Sequence, residues 1–325
     1  MEEKLLFIGR SAIESLDISV AEIIEAIENG FRDMADGKAE LPSKPTIHPR
    51  PDCFLRALPG YLKGMDLAGI KWVSAYPTNQ QRGLPIVNGL ILLNDPQTGF
   101  PLTLMEANWI TAWRTAAVTA VAAKILAVKE TDTLGICGAG VQGKTHLATL
   151  CTVLPNLRRV KIFDPDPEAL KIFIEQQAGV YPDLDLHGVS TAQDAFQEAQ
   201  VVVTAAPMMT KPLAIIQEKD LSPGMLLLPV DLDSYFNASA FKACQKIFSD
   251  DMDQLLWLKD QGRFAHVEKL DGDYSQLLTG RVKGRENDDE CIMAISVGIA
   301  IGDLVTANLI YHRARDRNVG IWLEL

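Results

Sequence analysis

Residues Thr133–Leu154 read "TLGICGAGVQGKTHLATLCTVL". A short apolar run meets a glycine-rich turn, and a helix-forming segment follows. Gly138, Ala139, Gly140, Val141, Gln142 and Gly143 fit the pattern G-x-G-x-x-G. In such a turn the first glycine permits a tight bend. The second lets the backbone approach a pyrophosphate, and the third lets helix and strand pack closely. The free N–H groups and dipole at a helix start favour an anion. The next segment, "RVKIFDPD", is a second strand that ends in Asp164, 21 residues after Gly143. That is the position of the acid that takes ribose hydroxyls in dinucleotide-binding units. An acid there repels a 2′-phosphate, so NAD is expected over NADP, with NADP possible. Asp164 also has a plain alternative as a turn or helix-capping residue in "DPDP".

Outward from this stretch, "VVVTAAP", "MLLLPVD" and "QKIFSDD" are further short apolar strands separated by helical stretches. Strands alternating with helices predict a doubly wound parallel sheet. Upstream the texture differs. From Pro42 to Pro101, "FLRALPGYL", "GIKWVSAYP" and "IVNGLILLN" alternate with Pro, Gly and Asn, and "NDPQTGF" reads as a turn between strands. This predicts an antiparallel or mixed sheet. Ser19–Asp36 has apolar residues at helical spacing. Leu104–Val128 is alanine-rich and is expected to be one long helix, and "AISVGIAIGDLVTANLIYHRA" a last one. The fold class is therefore α/β: a Rossmann-type doubly wound parallel sheet plus a second α+β domain. Expected boundaries are 119–302 for the dinucleotide-binding domain. Residues 1–118 with 303–325 form the second.

The 325 residues are enough for two domains. The net charge of −11 argues against nucleic acid or an anionic membrane as partner. It is compatible with a small anion in a local cationic pocket. Five scattered cysteines without a C-x-x-C pair, and "MEEKLLFIGRS" without a leader pattern, predict a cytoplasmic protein. The five histidines lack ligand spacing, so no metal site is expected.

Lys44, Arg56, Lys71 and Arg114 stand in or beside apolar runs of the first half. A buried cation is costly without a partner. Few acids there occupy comparable contexts, Glu106 being one, so a substrate carboxylate is a candidate partner. Arginine offers such a group a planar fork. A desolvated lysine can release its proton. Each also has a bland reading: Lys71 reaching out from an edge strand, Arg114 pairing along its helix. Asp231 and Asp233 follow a fully apolar strand, and strand C-termini face the ligand crevice of such sheets. Asp231 could bind an amine or activate water. Asp233, before Ser234, suits a helix cap better. Thr115 and Thr204 complete the expected cofactor-side set.

The ordered series "LPSKP", "LRALPGYL", "GIKWVSAYP", "GLPIVNGLILLNDPQTGFPL", "RTAAVTAVAAK", "GAGVQG" and "SVGIAIGDL" resembles the ornithine cyclodeaminase/mu-crystallin family of NAD(P)-dependent enzymes, from about Pro42 to Gly320. The first half looks most like its archaeal-type alanine dehydrogenases. The resemblance implies that the second domain serves substrate binding and dimerisation, giving a homodimer with the active site between its two domains. It implies Lys44, Arg56, Lys71 and Arg114 as cations for a substrate carboxylate and Asp231 as the catalytic aspartate. The shared chemistry it implies is interconversion of an amino acid and its imine by hydride transfer. Dehydrogenases, cyclodeaminases and reductases of cyclic ketimines such as pyrroline-2-carboxylate use these same parts. A crystallin-like binding protein is the non-enzymatic alternative. The chain departs from the family pattern at "LPVDLDSYFNA" and at "MAISVG", which lacks the usual acid. It also has Arg56 where ornithine-acting members have a glutamate. Arg56 suits a carboxylate or a small neutral substrate.

Overall fold

The computed structural model describes residues 4–206 and 212–325. Its contacts divide the chain into two units: Met1–Arg114 with Gly298–Leu325, and Thr115–Val297.

The first unit is built on an eight-stranded mixed sheet. Its order is Ile321–Glu324, Lys4–Ile8, Pro101–Glu106, Val87–Asn94, Leu67–Ala75, Phe54–Leu62 and Ala39–Glu40, with Thr46–Ile47 also on Phe54–Leu62. Only Lys4–Ile8 with Pro101–Glu106 is parallel; the other pairs are antiparallel. Helices Val20–Ala35 and Ala300–Asp316 pack together. The first starts at Ser19, whose hydroxyl accepts the Glu22 N–H while the Glu22 carboxylate accepts the Ser19 N–H. Ile23, Ile24, Ile27 and Phe31 form its buried face. Gly30 is required where the helices touch: a Cβ there would come 2.5 Å from the Ile301 side chain.

The second unit is an eight-stranded, wholly parallel sheet. Its order is Asp185–Gly188, Arg159–Phe163, Thr133–Cys137, Val201–Thr204, Leu226–Pro229, Ile292–Ile295, Lys246–Ser249 and Gly272–Asp273. The central strands are buried on both faces, as their unbroken apolar runs require. From Thr133–Cys137 the chain winds first to one side and then to the other. The switch point therefore lies between Thr133–Cys137 and Val201–Thr204, where such sheets bind ligands.

Three elements differ from expectation. The long helix is Ala107–Leu126. Leu104–Glu106 belong to a strand instead, and the Glu106 carboxylate accepts the Asn108 and Trp109 N–H groups at 2.7 and 3.1 Å. The last helix begins at Ala300, because Ala294 and Ile295 end a strand and Gly298 breaks the chain at φ +76°. The strand in "VVVTAAP" spans Val201–Thr204, and its Pro207 lies outside the described residues. Among the described residues no helix is long and apolar enough to cross a membrane.

Candidate active site

In the first unit, Lys71 occupies the strand Leu67–Ala75 and Arg114 the helix Ala107–Leu126. Both are buried, and both meet Asp303 of the helix Ala300–Asp316. Lys71 Nζ donates to Asp303 Oδ1 at 2.9 Å, and Arg114 Nε lies 2.9 Å from the same oxygen. Lys44, also buried, donates to the carbonyl of Gly298. The Arg114 fork lies against that glycine, 3.3 Å from where a Cβ would stand. Lys44, Lys71 and Arg114 are thus gathered around Gly298 and Asp303. Arg56 joins them through Thr46, whose hydroxyl accepts from Arg56 Nε at 3.0 Å and donates to the Lys44 carbonyl at 3.0 Å. The Arg56 guanidinium is half-buried, stacks 4.6 Å over Phe54, and among the described residues has no carboxylate partner. Burial lowers its proton affinity.

Two buried cations on one carboxylate leave a positive charge in excess, which a buried site relieves by taking in an anion or by releasing a proton. Burial pushes the Lys71 ammonium down to about 8, against the pull of Asp303 and with the repulsion of Arg114. Lys71 can therefore exchange its proton near neutral pH. Asp303 was not among the residues expected for the site. The signal available was the acid of "GIAIGDL" inside an apolar helix, and Glu106 proved to cap a helix instead.

In the second unit, each glycine of the turn has its own steric reason. Gly138 has φ +121°, and a Cβ there would lie 2.7 Å from the Ala205 carbonyl. At Gly143 a Cβ would lie 2.1 Å from the Gly138 carbonyl. Gly140 caps the helix Val141–Val153 without a side chain, and among the described residues nothing comes within 4 Å of its Cβ position. That open position, at a helix start whose first N–H groups have no partner within the helix, is what a pyrophosphate requires. Val141 is exposed, Ala139 is buried, and the buried Gln142 Oε1 has no partner among the described residues.

Asp164 accepts the Ala139 N–H at 2.7 Å and the Asp166 N–H at 2.9 Å. The helix cap of this stretch is Asp166. Asp164 therefore braces the turn from the end of the neighbouring strand. His146 locks the other side: its ring bonds the Gln142 carbonyl at 2.8 Å and the Thr119 hydroxyl at 3.1 Å. Burial lowers His146 to about 4, so the ring is neutral at pH 7. Its Nδ1 must then donate to the carbonyl and Nε2 accept from the hydroxyl. The Thr119 hydroxyl oxygen also lies 3.2 Å from the Thr115 carbonyl, which places that expected residue beside the turn, while its single proton goes to His146.

Asp231 follows the strand Leu226–Pro229 and is almost wholly buried. It accepts the Thr204 hydroxyl at 2.8 Å and the Ala206 N–H at 3.0 Å. Burial raises it to about 7 despite those donors, with Asp233 adding to the rise. Leu232, between the two acids, is held at φ +62°, a costly conformation for a branched residue. Asp233 caps no helix. It accepts the Phe264 N–H at 2.8 Å and pairs with Arg263 at 3.2 Å, while Asn237 caps the next helix.

A parallel sheet with a glycine cradle at its switch point defines a dinucleotide-binding protein, and the companion unit carries a cluster of buried cations. The chain belongs to the ornithine cyclodeaminase/mu-crystallin family, whose profile matches residues 4–318. It is 33% identical over 331 residues to the alanine dehydrogenase of Archaeoglobus fulgidus, covering 97% of each chain. The structure of Thermococcus litoralis Δ1-pyrroline-2-carboxylate reductase in complex with NADH and L-proline superimposes with TM-score 0.88 at 32% identity, covering 98% of this chain and 99% of that one. An archaeal alanine dehydrogenase dimer with bound NAD gives TM-score 0.89 at 30% identity, covering 99% of each.

Proposed function

We propose that this protein is an NAD(H)-dependent oxidoreductase that interconverts a small α-amino acid and its α-imino or keto acid. The observation that carries the reading is the pair of buried cations, Lys71 and Arg114, sharing one oxygen of Asp303. Such a pair calls for an anionic guest, and a carboxylate matches the arginine fork. Residues 119–302 take the dinucleotide role in this reading, and 1–118 with 303–325 take the substrate role.

Gly138–Gly143 would hold the pyrophosphate, Asp164 would stand at the ribose, and Thr115 and Thr204 would flank the same ligand. A bound nicotinamide supplies or accepts the hydride. Lys44, Arg56 and Arg114 bind and orient the substrate carboxylate. Lys71, held near its titration point, gives a proton to the substrate nitrogen or takes it back. Asp231, half-ionised near neutral pH, accepts a hydrogen bond from the amine or iminium and holds water for release of the keto acid.

Reduction of a cyclic imine is the second reading, supported by the likeness to the pyrroline-2-carboxylate reductase. A screen of 2-oxo acids with ammonia, and of cyclic imines alone, followed by NADH absorbance, tests both. Oxidation of NADH that requires ammonia supports the first reading, and oxidation without ammonia supports the second. Ammonia release from ornithine with no net change in NADH would point to a cyclodeaminase. Failure of every substrate while NADH still binds would point to a binding protein.

We also infer a homodimer. Trp72 and Leu90, cross-strand partners on one sheet face, are each 43% exposed, and Ile321, Trp322 and Leu323 are exposed on an edge strand. Exposed apolar groups on a sheet face and edge favour a covered state. Light scattering should give about twice the chain mass of 35.7 kDa.

A further inference from the structure

Asp303 is fully buried, and its two oxygens differ. Oδ1 carries both cations at 2.9 Å, whereas Oδ2 has no partner among the described residues. The cations are also held differently. Lys71 makes a true hydrogen bond to Oδ1, while Arg114 Nε lies at ion-pair distance without hydrogen-bond alignment. The rest of the Arg114 fork is turned toward Gly298, whose carbonyl takes Lys44. One turn further along the helix, the Thr306 hydroxyl is buried and likewise without a partner among the described residues. A carboxylate placed to satisfy only a fold would use both oxygens, because an unmet buried acceptor costs about 1–3 kcal/mol.

We propose that Asp303 is the positioning residue of this site: through Oδ1 it fixes the Lys71 ammonium and the Nε edge of Arg114, leaving the other donors of both cations for the anionic guest. It acts through Lys71 and Arg114 and need not touch the substrate. This rests on the oxidoreductase reading above for what the guest is, but the placement itself is a property of the protein alone.

The charged groups facing Lys71 are Asp303 from the helix Ala300–Asp316 and Arg114 from the helix Ala107–Leu126. They act in opposite directions. Removing the charge of Asp303 therefore leaves Lys71 with only burial and a like charge, both of which drive its proton off.

The test is Asp303→Asn in the whole chain, which keeps shape and removes charge. Protein carrying 13C-lysine is titrated by NMR, with the Lys71 ε-carbon signal assigned through Lys71→Met. The expected result is a fall in the Lys71 titration point of at least one pH unit, a ten-fold loss of proton affinity. KM for the 2-oxo or imino acid should rise at least ten-fold at pH 7, more than kcat falls, with NADH affinity unchanged within two-fold. A titration point that stays put, or a KM that does not move, overturns the proposal. If the variant does not fold, Asp303→Glu keeps the charge on a longer arm. It should displace the Lys71 ε-carbon signal and raise KM, and unchanged values overturn the proposal equally. If the wild-type protein turns over no amino, imino or keto acid while the Lys71 shift still appears, the functional reading fails and the positioning role stands.

Discussion

The Thr204 hydroxyl lies 2.8 Å from Asp231 Oδ1, linking the C-terminal ends of two adjacent parallel strands. The bond orients a carboxylate that burial holds up to about 7. Asp231→Asn keeps the size and most of the hydrogen bonding while abolishing proton exchange. Turnover should fall at least about 100-fold, the usual worth of a placed acid–base group. NADH affinity by fluorescence titration should stay within two-fold.

The same group gives stability a pH slope of known sign. The folded chain keeps the Asp231 proton up to about 7, whereas an unperturbed aspartate releases it near 3.8. Its contribution is complete below about pH 4 and is lost as pH rises to about 7. Thermal melts of wild type and Asp231→Asn at pH 5 and 7.5 check this. The wild type should lose more stability across the interval than the variant.

Lys71 and Asp303 should respond oppositely to removal, although they form one ion pair. Lys71→Met leaves Arg114 and Asp303 balanced one to one. It also removes a lysine whose folded-state value of about 8 lies below the usual 10.5, so its favourable contribution is lost as pH falls through 8. That variant should melt no lower than wild type at pH 7 and yet be inactive. Asp303→Ala strands two buried cations and should cost about 3–5 kcal/mol. Melting curves of the two variants side by side decide the matter.

Gly140 and Gly143 separate binding from folding. Gly140→Ala meets no atom of the described residues within 4 Å, so its melting temperature should hold, while its Cβ enters the cradle and weakens NADH binding at least ten-fold. Gly143→Ala drives a Cβ to 2.1 Å from the Gly138 carbonyl and should lower both stability and binding. Parallel melts and NADH titrations distinguish them.

Asp164 should govern the choice of cofactor. With its charge at the strand end, NADH should be preferred, and Asp164→Ser should raise the NADPH to NADH ratio of kcat/KM at least ten-fold. Because Asp164 also accepts the Ala139 N–H, a modest loss of affinity for both cofactors should accompany the switch.

Much of this architecture was readable in the amino-acid order for local reasons. Gly138, Gly140 and Gly143 each answer a steric demand within a few residues, and buried parallel strands declare themselves as unbroken apolar runs. Lys71 and Arg114 stood out because a cation in an apolar run needs an explanation. Their partner did not, because Asp303 lies 232 positions beyond Lys71 and nothing local marks the pairing. The strand Ile292–Ile295 merged with the following helix in the reading. A short apolar run has no period to separate the two, and only Gly298 marks the break. Lys4–Ile8 and Ile321–Glu324 pair with each other across the whole length of the chain, so neither announced itself as a strand.

The segment Gly298–Leu325 returns to the unit that begins the chain and brings its acid with it. On the ribosome, the residues through Arg114 emerge long before that helix, so two cations destined for the interior wait in water for their counter-charge. The intervening unit has all its own strands by Val297 and can collapse first. A chain ending early would thus carry a finished nucleotide fold beside an electrostatically incomplete one, and quality control would meet it as half a protein.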